Sequence, residues 1–332
     1  MVWYKLLISF ILTVFVTLST AYSSKPVKKN FNQFILEFSE NKLSKKFDKK
    51  LIKSFVKNTK FIKRVIELDR SQPEFKLTLE EYLNKVVTKN RIIKAKRKYK
   101  ENYKTLKEIE KHFNVQPRFI VALWGIETDF GRVTGSFPVI SSLTTLVYDG
   151  RRGAYFEKEL LNALNIIENG HITMDNMKGS WAGAMGQCQF MPSSFIRYAR
   201  DWNKDGKIDI WHTKMDVFAS ASNYLKEVKW NNKKTWGRKV YFKNNQKIKN
   251  NKDWYSLKKW KSLGILNVDK TELPNLDLKA RLIIPENYQN YGYLVYSNFE
   301  SLLKWNRSNY FAIAVGTLSD YLIINKNKVL KK

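Results

Sequence analysis

The chain has 332 residues and a mass of 39.2 kDa, which is more than one hydrophobic core usually needs, so we expect two or three subdomains. An apolar fraction of 43% with 14% aromatic residues excludes a disordered protein. One cysteine and three histidines exclude a disulfide framework and leave little room for a zinc centre. The net charge of +30 is most simply explained by a solvated basic surface, and attraction to an anionic polymer or a membrane face stays open. No nucleic-acid recognition motif is present, so we expect no nucleic-acid partner.

The N-terminus has the pattern of a secretory signal peptide. Lys5 precedes an apolar run at 6–18, and small residues follow that run. The run is shorter than the roughly twenty residues that a membrane helix prefers, although an uncleaved membrane anchor stays open. No cysteine follows it, so a lipid anchor on a new N-terminal cysteine is not available. We therefore predict a signal peptide at 1–24 and an exported, periplasmic protein, tethered to the membrane only if the signal is not cleaved.

The predicted elements after the signal are mostly helices. Residues 30–111 read as almost wholly helical, because apolar side chains recur every three or four positions, and Pro73 interrupts this run. Pro117 begins a helix that is apolar nearly all round and therefore buried, with Gly131 as its stop. Further helical patterns lie at 155–168, 195–199, 217–226, 298–303 and 310–315.

The late part of the chain changes character. Short runs at 240–242 and 280–285, separated by turn residues, predict strands. The predicted fold class is therefore mainly α, with a small inserted β region. The predicted boundaries are 25–105 for an N-terminal helical domain, 106–235 for the helical core, 236–297 for the partly β insert and 298–332 for C-terminal helices that return to the core.

Glu127 is the first candidate for chemistry, because it ends an apolar run beside Trp124, Ile126 and Phe130. Burial among aromatic rings raises the pKa of a carboxyl group, and the C-terminal end of a helix also disfavours an anion. Both effects keep a carboxyl protonated near neutral pH, as a general acid requires. A structural glutamate paired with an arginine or a backbone amide is the alternative. Asp129 is a poor second carboxylate, because a spacing of two on a helix points side chains apart.

A cation site is the second candidate. Residues 201–209 start like a calcium-binding loop, with oxygen ligands at alternate positions before a glycine. Lys207 would contribute only its backbone carbonyl, and His212 stands where the usual glutamate would be. The predicted ligands are Asp201, Asn203, Asp205, Lys207 and Asp216. A plain turn rich in Asp and Asn side chains is the alternative.

The glycine-rich loop at 179–192 is the third candidate. Its small residues let the backbone approach a ligand closely, and Ser180 and Gln189 supply neutral donors and acceptors. It is not a phosphate loop, because the Gly-Lys-Ser/Thr ending is absent. A tight helix-packing loop is the alternative. Cys188 is expected to be a small, half-buried residue without activation, since no basic partner adjoins it.

Taken in order, these segments resemble the lytic murein transglycosylase B family, which has a goose-lysozyme-like catalytic core. The matching stretches are 67–70, 72–75, 124–131, 134–135, 138–139, 149–152, 179–194, the calcium-like loop and 306–308. The resemblance implies a lysozyme-like helical core. It also implies cleavage of the β-1,4 bond between N-acetylmuramic acid and N-acetylglucosamine in peptidoglycan without water, which forms a 1,6-anhydromuramic acid end.

The resemblance also assigns roles to residues. Glu127 matches the family's single catalytic acid, which protonates the glycosidic oxygen and then acts as the base for the muramic 6-hydroxyl group. The substrate's acetamido group takes the place of a second carboxylate. The implied sugar- and peptide-binding residues are Ser180, Gln189, Arg151, Arg152 and Asn306. Paired arginines suit stem-peptide carboxylates, because a guanidinium binds a carboxylate through two hydrogen bonds.

The calcium-like loop matches a calcium loop of the family, so structural Ca²⁺ and no organic cofactor are expected. The chain departs from the family at Phe311, where tyrosine is frequent, at Cys188, where glycine is usual, and at Gly150, where proline or a polar residue is common. Many relatives are lipoproteins, whereas this chain lacks the lipid-accepting cysteine, which favours a soluble periplasmic protein. None of these departures touches Glu127.

The expected partners are peptidoglycan glycan strands and stem peptides, and the expected state is a monomer. Loose association with the membrane or with wall-remodelling proteins stays open. Two alternative functions also stay open. One is a hydrolytic, lysozyme-like muramidase, for which Asp129 is the only water-positioning carboxylate that can be nominated. The other is a non-catalytic, calcium-stabilised cell-wall binding protein.

Overall fold

The computed structural model describes residues 30–71, 77–242, 253–286 and 290–323. The predicted signal peptide and the interruption at Pro73 lie outside these ranges. Within them, no helix is long and apolar enough to cross a membrane. The described residues are mainly helical with one small sheet region, so the predicted fold class is confirmed.

Six helices form the N-terminal part, as the apolar spacing predicts. They are α1 Phe31–Phe38, α2 Lys49–Asn58, α3 Lys63–Arg70, α4 Leu79–Val86, α5 Lys89–Glu101 and α6 Tyr103–Phe113. A π-helical segment, Ser39–Leu43, extends α1 directly. Side chains cap the helix starts, because the first backbone N–H groups of a helix have no partner within it. Asp48 caps α2, and Thr78 and Glu81 form a reciprocal capping box at α4.

Five helices follow in the central part of the chain. They are α7 Pro117–Thr128, α8 Val139–Asp149, α9 Gly153–Glu168, α10 Pro192–Tyr198 and α11 Lys214–Glu227. Helix α7 is buried on almost every side, as its uniform apolar sequence predicts. It ends at Thr128, and its C-cap residue Asp129 adopts a left-handed conformation with φ of 50°, two residues before the predicted stop at Gly131.

Helix α8 is a difference from the sequence analysis, which predicts no element there. The polar residues Ser141, Ser142, Thr144 and Thr145 interrupt its apolar pattern, yet all four are buried. Two of the hydroxyl groups donate within the helix, Thr144 to the Ile140 carbonyl at 2.8 Å and Thr145 to the Ser141 carbonyl at 2.7 Å. These bonds satisfy Thr144 and Thr145 within the helix. The Ser141 hydroxyl oxygen accepts from the Lys60 N–H at 3.1 Å, and Ser142 Oγ has no hydrogen-bond partner among the described residues.

The β region follows where the sequence predicts it. The strands are β1 Phe137–Pro138, β2 Lys178–Gly179, β3 Gly237–Tyr241, β4 Tyr255–Ser256, β5 Leu266–Asn267, β6 Lys279–Ile283 and β7 Tyr291–Val295, and the short helix α12 is Leu257–Ser262. β1 and β2 pair with each other next to α8, outside the predicted β region. The other five strands form an antiparallel sheet in the order β4-β6-β7-β3-β5. This sheet has its own apolar cluster, which includes Val240, Trp260 and Leu294.

Two helices, α13 Ser297–Trp305 and α14 Asn309–Asp320, return from the sheet to the helical core. Helix α14 packs against α7, and one cluster of buried side chains extends from Ile35 in α1 to Leu322 after α14. The N-terminal helices, α7 and the C-terminal helices therefore share one core. The boundaries at 25–105, 106–235, 236–297 and 298–332 stay predictions.

Candidate active site

Glu127 lies in the last turn of α7 beside a small, mostly apolar cavity. The cavity is lined by Ile120, Leu123, Trp124, Glu127, Gln187, Cys188, Val217, Ala221 and Trp305. Burial raises the pKa of Glu127 to about 7, and a hydrogen bond from Trp305 acts in the opposite direction. Such a carboxyl group can both release and take up a proton near neutral pH, which is the property of a general acid and base.

Trp305 donates a hydrogen bond of 2.7 Å from Nε1 to Oε1 of Glu127. In the described part of the chain no other group donates to this carboxyl. The alternative of a structural glutamate requires an arginine or a backbone amide as its partner, and neither is present among the described residues. Glu127 is therefore a half-buried acid with one neutral donor and no compensating positive charge.

The indole of Trp305 is held by two other rings. Its centroid lies 5.3 Å from that of Phe190 in the glycine-rich loop and 4.8 Å from that of Tyr224 in α11. The hydroxyl group of Tyr224 donates to the Lys304 carbonyl at 2.6 Å, which fixes the end of α13. The loop and α11 therefore set the direction in which the indole N–H points.

Tyr82 of α4 brings the N-terminal helices to the same site. Burial raises the pKa of the Tyr82 phenol, and the nearby carboxylate of Glu127 raises it further. Its ring lies 5.9 Å from that of Tyr310 in α14. The cavity itself is lined by α7, α11, α13 and the glycine-rich loop, and Tyr82 lies near enough for its phenol to interact electrostatically with Glu127.

The glycine-rich loop is fastened to α7 by Gln187. Its Oε1 accepts from Trp124 Nε1 and its Nε2 donates to the Trp211 carbonyl, both at 2.7 Å. The Thr128 hydroxyl donates to the Gln187 carbonyl at 3.1 Å. A Cβ atom at Gly131 would lie 2.3 Å from Oε1 of Gln187, so only glycine leaves room for this side chain. The loop is thus joined to α7 by hydrogen bonds from Trp124 and Thr128.

Ser180 and Gln189 lie in the loop where they shape its backbone. The Ser180 hydroxyl oxygen accepts from the Ala184 N–H at 3.0 Å. Gln189 has a left-handed backbone, and its Nε2 donates to the Thr134 and Gly186 carbonyls at 3.0 and 2.9 Å. Both residues are half-buried. No described residue pairs with the hydroxyl hydrogen of Ser180 or with Oε1 of Gln189, so both groups are available to a ligand.

Asp129 forms ion pairs with three positively charged side chains. Its Oδ2 accepts from Arg132 at 2.6 Å and from Lys94 at 3.0 Å, and Arg91 lies 3.8 Å from Oδ1. Burial alone would raise the pKa of Asp129, but the hydrogen bonds from Arg132 and Lys94 outweigh it and hold the pKa below its usual value. Asp129 therefore stays charged and joins α5 to the end of α7.

Arg151 and Arg152 both form ion pairs with Asp69 of α3. Arg151 donates from Nε to Oδ2 of Asp69 at 2.6 Å and from Nη2 to its carbonyl at 2.8 Å, while Arg152 binds Oδ1. Asp69 is 3% exposed, whereas the arginine side chains are 48% and 41% exposed. In the described residues their hydrogen bonds go to Asp69, and none reaches the surroundings of Glu127. The pair is therefore a separate, oriented cationic site.

Asn306 directly follows Trp305, which places it at the edge of the Glu127 site. It is exposed, and its Oδ1 accepts from the Ser308 N–H at 3.0 Å. Phe311 is buried at the start of α14, so the hydroxyl of a tyrosine there would have to find a partner. Cys188 is also buried rather than half-buried, and burial raises the pKa of its thiol above the usual range, with Glu127 adding to the effect. An unreactive Cys188 is therefore expected.

The calcium-like loop is closed by Asp216 of α11. Its Oδ1 accepts from the Trp202 N–H and its Oδ2 from the Asp209 N–H, both at 2.8 Å, although Asp216 is fully buried. Within the loop, Oδ2 of Asp201 accepts from the Gly206 N–H at 2.9 Å. The other oxygen of Asp201, Oδ1, is buried and has no hydrogen-bond partner in the described structure.

A buried, unpaired carboxylate oxygen fits a cation ligand, because an unsatisfied charged acceptor is otherwise unfavourable. The described residues contain no group of three or more His, Cys, Asp or Glu side chains that could hold a metal ion. A cation here would therefore also need neutral ligands, which the Asn203 amide and the Lys207 carbonyl can provide.

Sequence reasoning missed four residues of these sites: Tyr82, Gln187, Tyr224 and Trp305. Gln187 lies inside the glycine-rich loop, where the oxygen and the NH2 group of its side-chain amide could have been considered as hydrogen-bonding groups. Trp305 directly precedes Asn306, but nothing in the local sequence indicates that its indole reaches a residue 178 positions earlier. Asp69 lies in a stretch that resembles the family, and only the fold pairs it with the two arginines.

Comparison with known proteins agrees with this architecture. The family model described as transglycosylase SLT domain matches residues 30–320. The chain belongs to this family. The resemblance to the lytic murein transglycosylase B family is thereby confirmed, since the membrane-bound lytic murein transglycosylase B of Escherichia coli K12 is 33% identical over 211 residues. That match covers 62% of this chain and 56% of the relative, so the chain spans little more than half of the relative's length.

Solved structures of the family share the fold. SltB3 from Pseudomonas aeruginosa, in complex with NAG-anhNAM-pentapeptide, has a TM-score of 0.83 and 33% identity, covering 89% of this chain and 80% of that one. The Escherichia coli lytic transglycosylase SLT35, in complex with calcium, has a TM-score of 0.74 and 27% identity, covering 89% of this chain and 93% of that one. The helical core is thus that of the lysozyme-like transglycosylases.

Proposed function

We propose that the chain is a peptidoglycan lytic transglycosylase in which Glu127 is the only acid and base. The observation that carries the proposal is a half-buried carboxyl group with a pKa of about 7, one neutral hydrogen-bond donor and no counter-ion. Membership of the family supplies the substrate class, and SltB3 has been crystallised with NAG-anhNAM-pentapeptide and with NAG-NAM-pentapeptide.

The proposed reaction balances without water. The protonated carboxyl of Glu127 gives its proton to the glycosidic oxygen, and the bond from that oxygen to C1 of N-acetylmuramic acid breaks. The resulting carboxylate takes the proton of the muramic 6-hydroxyl group as O6 bonds to C1. The substrate's acetamido group supports the positive C1 centre between these steps. The products are a free N-acetylglucosamine 4-hydroxyl and a 1,6-anhydromuramic acid end, and Glu127 is again protonated.

The state of Asp129 argues against a hydrolase. A hydrolytic muramidase needs a second carboxylate to position water, and Asp129 is the only nearby candidate from the sequence. Its oxygens are bound by Arg132 and Lys94, and its pKa is lowered, so it is a weak base that serves in an ion-pair network.

We assign substrate contacts to Ser180, Gln189, Arg151, Arg152 and Asn306. The free hydroxyl hydrogen of Ser180 and Oε1 of Gln189 suit the hydroxyl and acetamido groups of a glycan strand. The two guanidinium groups held by Asp69 suit a stem-peptide carboxylate, because a pre-oriented arginine loses little conformational freedom on binding. The glycan strands and stem peptides of peptidoglycan are therefore the proposed partners.

We also propose a periplasmic location and a structural Ca²⁺. The location follows from the signal-like segment at 1–24. The cation would be held by the side chains of Asp201, Asn203 and Asp205 and by the Lys207 carbonyl. Asp216, also predicted as a ligand, holds the loop through hydrogen bonds from two backbone N–H groups. The unpaired Oδ1 of Asp201 supports this assignment, and SLT35 has been crystallised with calcium. Ca²⁺ would supply fold stability here and no step of the reaction.

Mass spectrometry of digested peptidoglycan sacculi tests the proposed reaction. The parent chain is expected to release anhydro-muropeptides, lighter by one water than hydrolytic products, and Glu127→Gln is expected to release almost none. Loss of one essential acid typically lowers the rate by about 10²–10⁴-fold. Asp129→Asn, which removes the other nearby carboxylate, is the matched control and is expected to keep the anhydro product.

Each other outcome identifies an alternative. Reducing-end muropeptides from the parent chain would make the protein a lysozyme-like muramidase and overturn transglycosylation. Unchanged release by Glu127→Gln would overturn the assignment of the acid. Sacculus binding without any release by the parent chain would favour a non-catalytic wall-binding protein.

A further inference from the structure

The outer face of α5 is strongly basic. We call it the α5 basic face and define it by Lys89, Ile93, Lys96, Arg97 and Lys100, which recur at helical spacing and are all exposed. From Lys89 to Lys100 the face extends over eleven residue-to-residue steps of roughly 1.5 Å, which is about 16 Å. The cations therefore form a continuous line along one side of the helix.

Few carboxylates pair with the cations of the α5 basic face. Glu101, at the end of α5, pairs with Lys98 at 2.8 Å and lies 3.5 Å from Arg97. No ion pair is formed by Lys89, Lys96 or Lys100 within the described residues. Three positive charges of the face thus have no carboxylate partner there, in a chain whose net charge is already +30.

An apolar side chain lies in the middle of this charge. Ile93 is 67% exposed, which is the largest exposure of any large apolar residue in the described structure. Tyr103, just beyond the end of α5, is 45% exposed and lies 5.9 Å from Tyr99. Exposed apolar and aromatic side chains among cations are typical of helices that lie in the headgroup region of a bilayer.

The inner face of α5 is fixed to the catalytic helix. Ala95 is fully buried, and Lys94 donates to the Asp129 carboxylate and carbonyl at 3.0 and 3.1 Å. Since α5 also packs against α7, whatever holds the α5 basic face holds the Glu127 site at a fixed orientation. The face is therefore a rigid surface and does not need to fold on binding.

We propose that the α5 basic face docks on a bilayer that contains anionic phospholipid. The ammonium and guanidinium groups of the lysine and arginine side chains contact the lipid phosphates. The Ile93 side chain enters the boundary between the lipid headgroups and the acyl chains. Each cation near such a surface contributes about a fivefold gain in partitioning. This inference goes beyond the proposed function and does not depend on it, because it concerns adsorption and not bond cleavage.

A soluble or wall-bound polyanion is the competing partner, and Ile93 distinguishes the two. A polyanion attracts cations through charge alone and gains nothing from an exposed isoleucine. A bilayer removes that side chain from water, which is favourable by roughly 25 cal/mol per Å² of apolar surface. The position of Ile93 inside the line of cations therefore favours the bilayer.

Sedimentation with phospholipid vesicles tests the proposal on the exported chain purified from the cells that make it. Vesicles of phosphatidylcholine with phosphatidylglycerol are expected to bind the protein, and binding is expected to weaken as phosphatidylglycerol is withdrawn. The combined variant Lys89→Gln, Lys96→Gln, Lys100→Gln is expected to bind at least about tenfold more weakly. The matched control Lys49→Gln, Lys53→Gln, Lys57→Gln removes the same charge from an exposed face of α2 and is expected to change binding less than about threefold.

The variant Ile93→Ser decides between the two partner classes. It is expected to weaken vesicle binding while binding to dextran sulfate, a lipid-free polyanion, stays the same. Equal losses in the two triple variants would show that diffuse net charge is responsible and would overturn the proposal. Unchanged vesicle binding by Ile93→Ser would assign the face to a polyanion instead. Sacculus digestion by the same variants separates a loss of docking from a loss of the proposed activity.

Discussion

At the residue scale, Glu127 is governed by two opposed effects, burial and one hydrogen bond. Burial favours the neutral acid, and the indole N–H of Trp305 favours the carboxylate. The resulting pKa of about 7 lets one side chain serve as donor and then acceptor. Trp305 is thus a positioning residue whose contribution can be measured separately from that of Glu127.

Replacement of Trp305 by Phe keeps a ring in place and removes the donor. The pKa of Glu127 should then rise, because burial is no longer opposed. In the proposed reaction the neutral acid is the active form, so the fall in kcat/KM at high pH should move to higher pH, typically by about one unit for one lost hydrogen bond. The measurement is a pH profile of anhydro-muropeptide release. Trp260→Phe removes an indole bond to the Ala280 carbonyl in the β region and should leave the profile unchanged.

Glu127 also makes the stability of the protein depend on pH. Its pKa is about 7 in the folded state against 4.5 for the unperturbed group, so the folded state holds this proton more tightly. The contribution to stability is fully present below pH 4.5 and is lost as pH rises through about 7. Glu127→Gln should therefore leave the free energy of unfolding unchanged at low pH and raise it by up to about 3 kcal/mol above neutral pH.

Urea unfolding of the parent chain and Glu127→Gln across this pH range checks the expectation. A stability difference that is the same at every pH would mean that the carboxyl titrates normally in the folded protein. Asp129→Asn gives the opposite sign, since the pKa of Asp129 is lowered on folding. It should lose stability relative to the parent at neutral pH, and this loss should fade as pH falls through the ordinary range of an aspartate.

At the scale of elements, the site is assembled by short connections between helices. The glycine-rich loop is fastened to α7 through Gln187, and the next loop is fastened to α11 through Asp216. The backbone link from the Gln187 N–H to the Ile210 carbonyl, at 2.8 Å, joins the two loops. A change in the calcium-like loop therefore reaches the glycine-rich loop through backbone contacts.

Removal of Ca²⁺ is expected to lower the melting temperature without abolishing activity. An ion that binds only the folded state adds about 2.7 kcal/mol at one hundred times its Kd. Thermal unfolding with Ca²⁺ and with a chelator measures the shift. Asp201→Ala should lose most of the Ca²⁺-dependent shift in melting temperature. Asp269→Ala, in an exposed turn of the β region, should keep that shift. Equal melting temperatures with and without Ca²⁺ in the parent chain would refute the metal assignment.

At the scale of the whole molecule, the contact of Trp236 with α14 is one of those that hold the β region against the helical core. Trp236, where the chain leaves the core for β3, is 2% exposed, and its Nε1 donates to Asp320 at 3.0 Å. Gly316 of α14 lies directly beneath its indole, and a Cβ there would be 2.2 Å from the ring. Because α13 leads from the sheet back to the core, this contact also fixes the path that brings Trp305 to Glu127.

Gly316→Ala should therefore destabilise the protein despite the better helix propensity of alanine. Overpacking of a rigid core contact usually lowers the free energy of unfolding by about 1–3 kcal/mol. Gly153→Ala, at the start of α9, is the matched control, since the nearest atom to its added Cβ is 3.5 Å away. It should be neutral or stabilising by about 0.5–1 kcal/mol. Urea unfolding measures the free energy of unfolding of both variants. If Gly316→Ala leaves this free energy unchanged, Trp236 can shift to make room for the added methyl group.

The local sequence pattern was sufficient to predict many of the helices and strands of this protein. Apolar spacing predicts the N-terminal helices, the uniform run predicts the buried α7, and the alternating segments predict β3 and β6. The apolar run around Glu127 predicts burial and hence a raised pKa, although residues of the glycine-rich loop, α11 and α13 complete that burial. Apolar spacing does not predict α8, because its buried serine and threonine residues interrupt the apolar pattern and make the segment resemble an exposed one.

The sequence by itself determined the mainly α fold class, the position of Glu127 and the order of the loops, since each depends on residues that are neighbours in the chain. Only the tertiary structure decided that Trp305 donates to Glu127, that Asp69 gathers Arg151 and Arg152, and that Asp129 is held by cations. Each of these is a contact between distant segments. Such contacts depend on how whole helices pack, and no local periodicity encodes that packing.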